Sequence, residues 1–256
     1  SASITWLSYA KTLMRVPLGV VGQAVGVASF PILAQLYSEG KLDELNRTLN
    51  STLKGVILLL LPVSALTVAQ ASPLVHLIFS HTRLSARDLD ATASTLAFFS
   101  LSMFAWGAQN ILARGFYATR DTLTPAVSGT IFTVLNLPVY WLLVHRMQHL
   151  GLALASSIGV VAYTVVLFVL LNRRTQNPES AGLTIFFLKL LVASGLAAAA
   201  SYGIVVWLEP QLGWQTTGSA FLVLLIASTT GFLLTAILSK LLRVREVDSY
   251  LARVGL

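Results

Sequence analysis

The sequence predicts an all-α membrane protein, a polytopic bundle of seven transmembrane helices, from three observations. Of its 256 residues, 55% are hydrophobic and only 11% are charged, whereas about 25% of the residues of a soluble domain are charged. The mean hydropathy is +0.77. Seven stretches of the chain are apolar over the length of about 20 residues with which a helix crosses a hydrocarbon core about 30 Å thick.

Charged residues separate the seven predicted spans. Six spans contain no Asp, Glu, Lys or Arg, and the sixth in chain order contains only Lys189. All ten carboxylates lie between or beyond the spans, as expected because a charge at mid-bilayer costs about 3 kcal/mol or more. This distribution argues against a proton relay inside the bundle. The predicted spans cover residues 16–36, 55–75, 91–113, 122–144, 150–171, 181–208 and 212–239.

Three connecting segments carry local signals of their own. Residues 38–50 are polar with leucines at helical spacing, which predicts a short amphipathic helix on the membrane surface. Asp121, followed by Thr122, Thr124 and Pro125, predicts a turn and an N-cap at the start of the fourth span. Pro, Asn and Ser in residues 173–182 predict the most flexible linker of the chain.

The excess of basic residues predicts membrane topology. The chain carries 17 Lys and Arg against 10 Asp and Glu, a net charge of +7. The basic residues are spread between apolar runs and form no stripe that could follow phosphates, so no nucleic-acid partner is predicted. Eleven of them fall on one side of the predicted bundle and five on the other, and Lys189 completes the seventeen. The positive-inside rule therefore places the start of this segment outside and its end in the cytoplasm.

Enzymatic chemistry is not predicted. The chain has no cysteine, which excludes disulfides, thiolate metal sites and Cys nucleophiles. Its four histidines share no metal-binding motif, and neither a Gly-x-Ser-x-Gly elbow nor a Gly-rich phosphate loop is present. We therefore expect no enzyme, no cofactor and no metal site.

Two segments carry a resemblance to a known family. The first, residues 6–49, contains Tyr9, Ala10, Pro17, Gly19 and Pro31. The second, residues 113–127, contains Arg114, Phe116, Tyr117, Ala118, Asp121, Thr122, Thr124 and Pro125. Together they resemble the MurJ (MviN) family of bacterial lipid II flippases, in the multidrug/oligosaccharidyl-lipid/polysaccharide exporter superfamily.

The resemblance implies an architecture and a function. The seven spans would correspond to helices 8–14 of a fourteen-helix flippase, with the orientation that the charge count also gives. Residues 1–172 would form the C-terminal lobe of the transporter core with five helices. Residues 173–256 would add two C-terminal helices, which in the family help to form a groove for the polyprenyl tail, and a cytoplasmic tail.

The implied activity is transport across the bacterial inner membrane during peptidoglycan biosynthesis. The implied substrate is undecaprenyl-linked peptidoglycan precursor, lipid II, moved by alternating access. The expected partners are lipid II, membrane lipids and an N-terminal lobe of the same protein that this sequence does not contain. Two alternatives remain, namely an exporter of a different lipid-linked oligosaccharide, and a non-transporting scaffold or decayed paralogue.

Basic residues at the start of the first span are candidate contacts for the substrate diphosphate. The family has an arginine two residues after the matched Ala10, where this sequence has Thr12. Lys11 and Arg15 flank that position, and a guanidinium can bind a diphosphate bidentately. Because Thr12 replaces the arginine, a different lipid-linked glycan stays credible. The alternative role for Lys11 and Arg15 is anchoring at the membrane interface.

Two further residues complete the predicted substrate-binding set. Arg114 lies at the inner end of the third span, where it could instead be a positive-inside anchor. Asn136 lies in the middle of the fourth span, where an interhelical hydrogen bond is the alternative. Some family members place a sodium site in this region, but no carboxylate lies in any span here, so that site is not carried over.

The first span also has the features of a helix that bends or slides. Gly19, Gly22 and Gly26 recur at spacings of three and four, and Pro17 and Pro31 bracket them. Small residues let helices approach closely, and proline removes a backbone hydrogen bond. These five residues are the predicted conformational hinge, with static packing as the alternative.

Overall fold

A computed structural model of the chain describes residues 2–82 and 84–244. Within these residues the secondary structure is helical and contains no strand, which confirms the all-α fold class. In chain order the elements are α1 (Ala2–Pro17), a π-helical segment (Leu18–Gln23), α2 (Ala24–Ser38), α3 (Leu42–Ala69), α4 (Ala71–Phe79), α5 (Ala86–Ser100), α6 (Met103–Ala118), α7 (Leu123–Thr175), α8 (Ser180–Leu212) and α9 (Thr217–Leu241).

Several of these helices are long and apolar enough to cross a membrane. Among the described residues there are five such stretches, Ser3–Ser38, α3, α7, α8 and α9. The bent pair formed by α5 and α6 gives a sixth if it is counted as one broken span. The chain is thus a multi-pass membrane protein, and the count of seven spans stays a prediction.

The 53-residue α7 is a hairpin of two arms, residues 123–147 and 149–175. Gln148 has φ 53° and ψ −125°, which is not helical and reverses the chain. Hydrogen bonds join the arms in antiparallel register, between the hydroxyls of Tyr140 and Ser156 at 2.9 Å and from the Tyr163 hydroxyl to the Pro125 carbonyl at 2.7 Å. The arms therefore cover the fourth and fifth predicted spans.

The second predicted span is interrupted at Gln70, where α3 ends and α4 begins. The Gln70 side-chain Nε2 donates to Ser201 Oγ at 2.8 Å, and its Oε1 accepts from Ser228 Oγ at 2.7 Å. Ser201 Oγ also donates to the Ala227 carbonyl at 3.1 Å. The prediction of one continuous helix over residues 55–75 is wrong, because a polar residue ends α3 and ties it to α8 and α9.

The third predicted span, residues 91–113, is also not one straight helix. α5 ends at Ser100 and α6 begins at Met103, so the helix is broken within this span. At the end of α5, the Ser64 hydroxyl donates a hydrogen bond to the Ser100 carbonyl. Backbone groups released by a break at membrane depth require such partners, and here a hydroxyl from a different helix supplies one.

Two predictions for the connecting segments are also corrected. Residues 38–50 do not form a separate surface helix, because α3 begins at Leu42 and continues unbroken into the apolar span. The linker at residues 173–182 is held by buried contacts to α3. Asn46 Nδ2 donates to the Thr175 carbonyl at 2.9 Å, and Asn177, only 7% exposed, hydrogen-bonds to α3 as well.

The chain divides into two compact units. The first unit comprises Ser1–Met14, Leu61–Leu101 and Leu188–Leu256, and the second comprises Arg15–Leu60 and Ser102–Phe187. These units do not follow the predicted division at residue 172, which stays a prediction. The core of the first unit includes Val205, Leu208, Val223 and Ala227, where α8 packs against α9.

Candidate functional site

In the second unit, the π-helical segment and α6 meet at two glycines. A Cβ placed on Gly22 would lie 3.4 Å from the Cα of Gly107 and 4.0 Å from Nδ2 of Asn110. The two backbones therefore cross with no side chain between them. Small residues at such a crossing are typical of close helix packing in membranes.

Gly107 also brings α6 close to α3. A Cβ on Gly107 would collide with the Leu60 side chain and would lie 3.0 Å from Val56 Cγ1. Eight residues further along α6, Gly115 lies in a similar position, since its Cβ would lie 2.7 Å from Leu171. At these two glycines, side chains of α3 and α7 thus pack directly against the backbone of α6.

Arg114 lies further along α6 and contacts the helix that follows the glycine crossing. Its side chain is half-buried and lies against Gly26 of α2, where a Cβ would be 2.7 Å from the guanidinium Nε. Arg114 follows Gly107 by two helical turns, so both residues project from one face of α6. Among the described residues, Arg114 forms no salt bridge.

The carboxylate of Asp121, in the turn after α6, is paired with a different arginine, Arg174. Asp121 Oδ2 lies 3.0 Å from Nη1 of Arg174, and the carboxylate accepts from the backbone N–H and the hydroxyl of Thr124 at 2.9 Å and 2.7 Å. Burial raises the pKa of Asp121, but the bonds from Thr124 and the charge of Arg174 outweigh it, so the pKa is lowered overall. The predicted capping role of Asp121 at the start of α7 is confirmed.

The other predicted substrate-binding residues lie in different surroundings. Lys11 and Arg15 are exposed on α1, and Arg15 forms no salt bridge within the described part of the chain. Asn136 lies inside the α7 hairpin, where its Nδ2 donates to the Ala155 carbonyl at 3.1 Å and its amide fills the space beside Gly159. The interhelical hydrogen bond expected of Asn136 is therefore present.

The five predicted hinge residues fall into three groups. Pro17 ends α1, and the π-helical segment that follows it contains Gly19 and Gly22. Gly26 lies against Arg114. Pro31 lies inside α2, which continues through it to Ser38. A π-helical segment thus begins directly after Pro17, and the hinge role of the five residues stays a prediction.

Sequence reasoning did not find the partners of these residues on α6. Gly107 and Asn110 form the other side of the crossing, and neither is among the site residues that the sequence predicts. The available signal was the spacing of seven between Gly107 and Arg114, which places a small residue and a cation on one helix face. That signal alone does not identify which helix packs there.

Comparisons with known proteins give one consistent result. A model of the family described as lipid II flippase MurJ matches residues 1–238. A probable lipid II flippase MurJ of Rhizobium tropici is 30% identical over 240 residues, which cover 90% of this chain and 44% of that protein. The lipid II flippase MurJ of Burkholderia cenocepacia is 28% identical over 215 residues, covering 83% of this chain and 40% of that protein.

A solved structure shares the fold. The lipid II flippase MurJ in an inward closed conformation superimposes with a TM-score of 0.69 at 18% identity, covering 93% of this chain and 47% of that one. The present chain therefore spans less than half the length of the relatives that it matches.

Proposed function

The chain belongs to the lipid II flippase MurJ family, and on that premise we propose that it forms the C-terminal part of a flippase. The intact protein, this chain together with an N-terminal lobe, would move undecaprenyl-linked peptidoglycan precursor across the bacterial inner membrane by alternating access. It would do so as a transporter, without an enzymatic step. The start of this segment would face outward and its end the cytoplasm, as the distribution of Lys and Arg favours.

The observation that carries this proposal is the environment of Arg114. A half-buried cation in an apolar bundle is costly unless an anion compensates it, and none of the described carboxylates pairs with this one. The diphosphate of a lipid-linked sugar is such an anion, and a guanidinium binds it with two parallel hydrogen bonds. We assign Arg114 as a substrate contact, and Lys11 and Arg15 stay predicted contacts of the substrate diphosphate.

The helix movement that alternating access requires would use the first span. A π-helical segment lacks the regular i to i−4 ladder and is often found at functional sites. Here it follows Pro17 directly and carries the close crossing of Gly22 with Gly107. Gly19, Gly26 and Pro31 extend this flexible region on either side of the crossing. Bending or sliding at this position would change the access of the substrate headgroup to Arg114.

The proposal is tested by comparing two arginines in the intact protein. Arg114→Gln removes the half-buried cation, and Arg173→Gln removes an exposed one at the end of α7. Both substitutions weaken the positive-inside signal, but only the first removes a diphosphate contact. We expect Arg114→Gln to lower lipid II translocation into vesicles by about tenfold or more, the scale of one lost charge-assisted bond, and Arg173→Gln to leave it near wild type.

Competing substrates separate this function from its alternatives. Undecaprenyl-linked O-antigen and enterobacterial precursors are added to the same assay in excess. Competition by either one stronger than that of lipid II would identify a different lipid-linked glycan as the substrate. No translocation by the wild-type intact protein, and no rescue of a flippase-depleted strain, would leave the scaffold alternative. Equal losses in the two arginine variants would show that Arg114 is only a membrane anchor.

A further inference from the structure

We propose that Gly26 is a positioning residue for Arg114, because its missing side chain forms the seat of the guanidinium. This inference rests on the proposed role of Arg114 as a substrate contact. It also separates Gly26 from Gly19 and Gly22, with which it shares a spacing pattern but not an environment.

The contacts at Gly26 are made by one side chain. The three atoms nearest to a Cβ on Gly26 are all from Arg114, with Nε at 2.7 Å, Cδ at 3.1 Å and Cζ at 3.2 Å. These atoms are the last methylene and the inner part of the guanidinium. A methyl group at residue 26 would overlap with Nε, so the end of the Arg114 side chain would have to shift away from its present position.

The other two glycines of the first span differ in this respect. A Cβ on Gly19 would have nothing within 4 Å, and a Cβ on Gly22 would lie 3.4 Å from the Gly107 backbone, which is ordinary contact. Within this set, a methyl group displaces a charged side chain only at residue 26. Gly182, in the first turn of α8, also has nothing within 4 Å of its Cβ and lies outside the predicted hinge, so it is the control for Gly26.

A side-chain hydrogen bond is made to the backbone at the seat. The Ser29 hydroxyl, on a residue only 7% exposed, donates a hydrogen bond of 3.1 Å to the Gly26 carbonyl. The guanidinium thus lies against a stretch of α2 that has no side chain at residue 26 and whose carbonyl is already bonded within the helix.

A seated guanidinium has two consequences for binding. It has already lost part of its rotamer freedom before an anion arrives, so less entropy is lost on binding. In addition, the seat is on α2 and the cation is on α6, so a shift of α2 along α6 must either carry the guanidinium or release it. Gly26 thereby links the position of the first span to the presentation of the charge.

The inference is tested with a cycle of Gly26→Ala and Arg114→Ala in the intact protein, with Gly182→Ala as the control. We expect Gly26→Ala to lower lipid II translocation by about tenfold, since a charge-assisted contact is lost, and Gly182→Ala to leave it unchanged. In the Arg114→Ala background, Gly26→Ala should have no further effect on translocation or on the thermal unfolding midpoint in detergent. Equal effects of Gly26→Ala in both backgrounds would overturn the inference, because Gly26 would then act through helix packing or bending.

The unfolding midpoints test the contact between Gly26 and Arg114 without substrate, so their outcome is independent of the proposed transport role. If Gly26→Ala alone does not fold, recovery of folding in the double variant still supports the seat, and failure of the double variant refutes it. If the midpoints are non-additive while Arg114→Ala transports lipid II normally, the seat stands and the substrate contact at Arg114 is refuted. If Arg114→Ala abolishes transport while the midpoints are additive, the substrate contact stands and the seat is refuted.

Discussion

Asn50 and Asn177 hold each other through a reciprocal pair of hydrogen bonds between their side-chain amides. Asn177 Nδ2 donates to Asn50 Oδ1 at 2.9 Å, and Asn50 Nδ2 donates to Asn177 Oδ1 at 3.2 Å. The pair joins α3 to the linker between α7 and α8, and Asn50 is only 2% exposed. Asn177 Nδ2 also donates to Asn172 Oδ1 at 2.8 Å. The linker is therefore a structural part of the second unit.

Removal of Asn50 is expected to destabilise the protein measurably. Asn50→Ala leaves the buried amide of Asn177 without this partner, which costs about 1–3 kcal/mol. Thermal unfolding in detergent should show the loss, and the exposed neighbour Ser51 provides the control Ser51→Ala. The double variant of Asn50 and Asn177 should lose less than the sum of the single variants. Full additivity would mean that the two amides do not interact.

Asp121 is expected to make stability depend on pH. Burial acts to raise the pKa of its carboxyl, but the Thr124 bonds and the Arg174 charge lower the pKa overall. A lowered folded-state pKa gives stability that is full above the unfolded value of about 3.9 and is lost as the pH falls through the folded value. Asp121→Ala should therefore lose about 1 kcal/mol at neutral pH.

The pH profile distinguishes this carboxylate from a surface charge. The difference in unfolding midpoint between wild type and Asp121→Ala should shrink as the pH is lowered below about 4. Asp90→Ala is the control, because it removes an exposed carboxylate that forms no salt bridge among the described residues. A difference for Asp121→Ala that is constant from neutral to acid pH would contradict the role of the charge.

Local sequence patterns predicted those features of the fold that residues close together in the chain determine. Apolar content over helix-length windows predicted an all-helical membrane protein and both arms of α7, and the Asp121 and Thr124 spacing predicted a cap. These features are set by residues within a few positions of each other.

The breaks and the site depend on partners that are distant in the sequence. Gln70 lies at the break between α3 and α4, and Ser201 and Ser228, which bind its side-chain amide, look unremarkable inside apolar runs. The role of Gly26 could not be predicted, since its partner Arg114 is on a helix that no local pattern places beside it. A hydropathy average over a helix-length window hardly changes at such residues, so it does not show which helices they join.

The Gln70 network is expected to couple α3 to α8 and α9 energetically. Gln70→Leu removes the acceptor of Ser228 and a donor to Ser201, and polar contacts between membrane helices are worth about 0.6–2 kcal/mol. A double-mutant cycle of Gln70→Leu and Ser228→Ala, measured by unfolding in detergent, should give a coupling energy of that size. Gln211→Leu is the control, because exposed Gln211 bonds only to the Trp207 carbonyl of its own helix among the described residues. A coupling energy of zero would show that the network does not join these helices.

Gly151 is expected to be required for the α7 hairpin. It follows the reversal at Gln148, and a Cβ on Gly151 would collide with the carbonyl of Leu143 in the opposite arm. Because the obstacle is backbone, no rotamer change relieves it, and Gly151→Ala should destabilise the protein by about 2–3 kcal/mol or more. Gly195 of α8, whose Cβ would have nothing within 4 Å, is the matched control, and Gly195→Ala should be neutral or stabilising by up to about 1 kcal/mol. Unfolding midpoints in detergent compare the two variants, and a tolerated Gly151→Ala would mean that the arms are further apart at the turn than this structure places them.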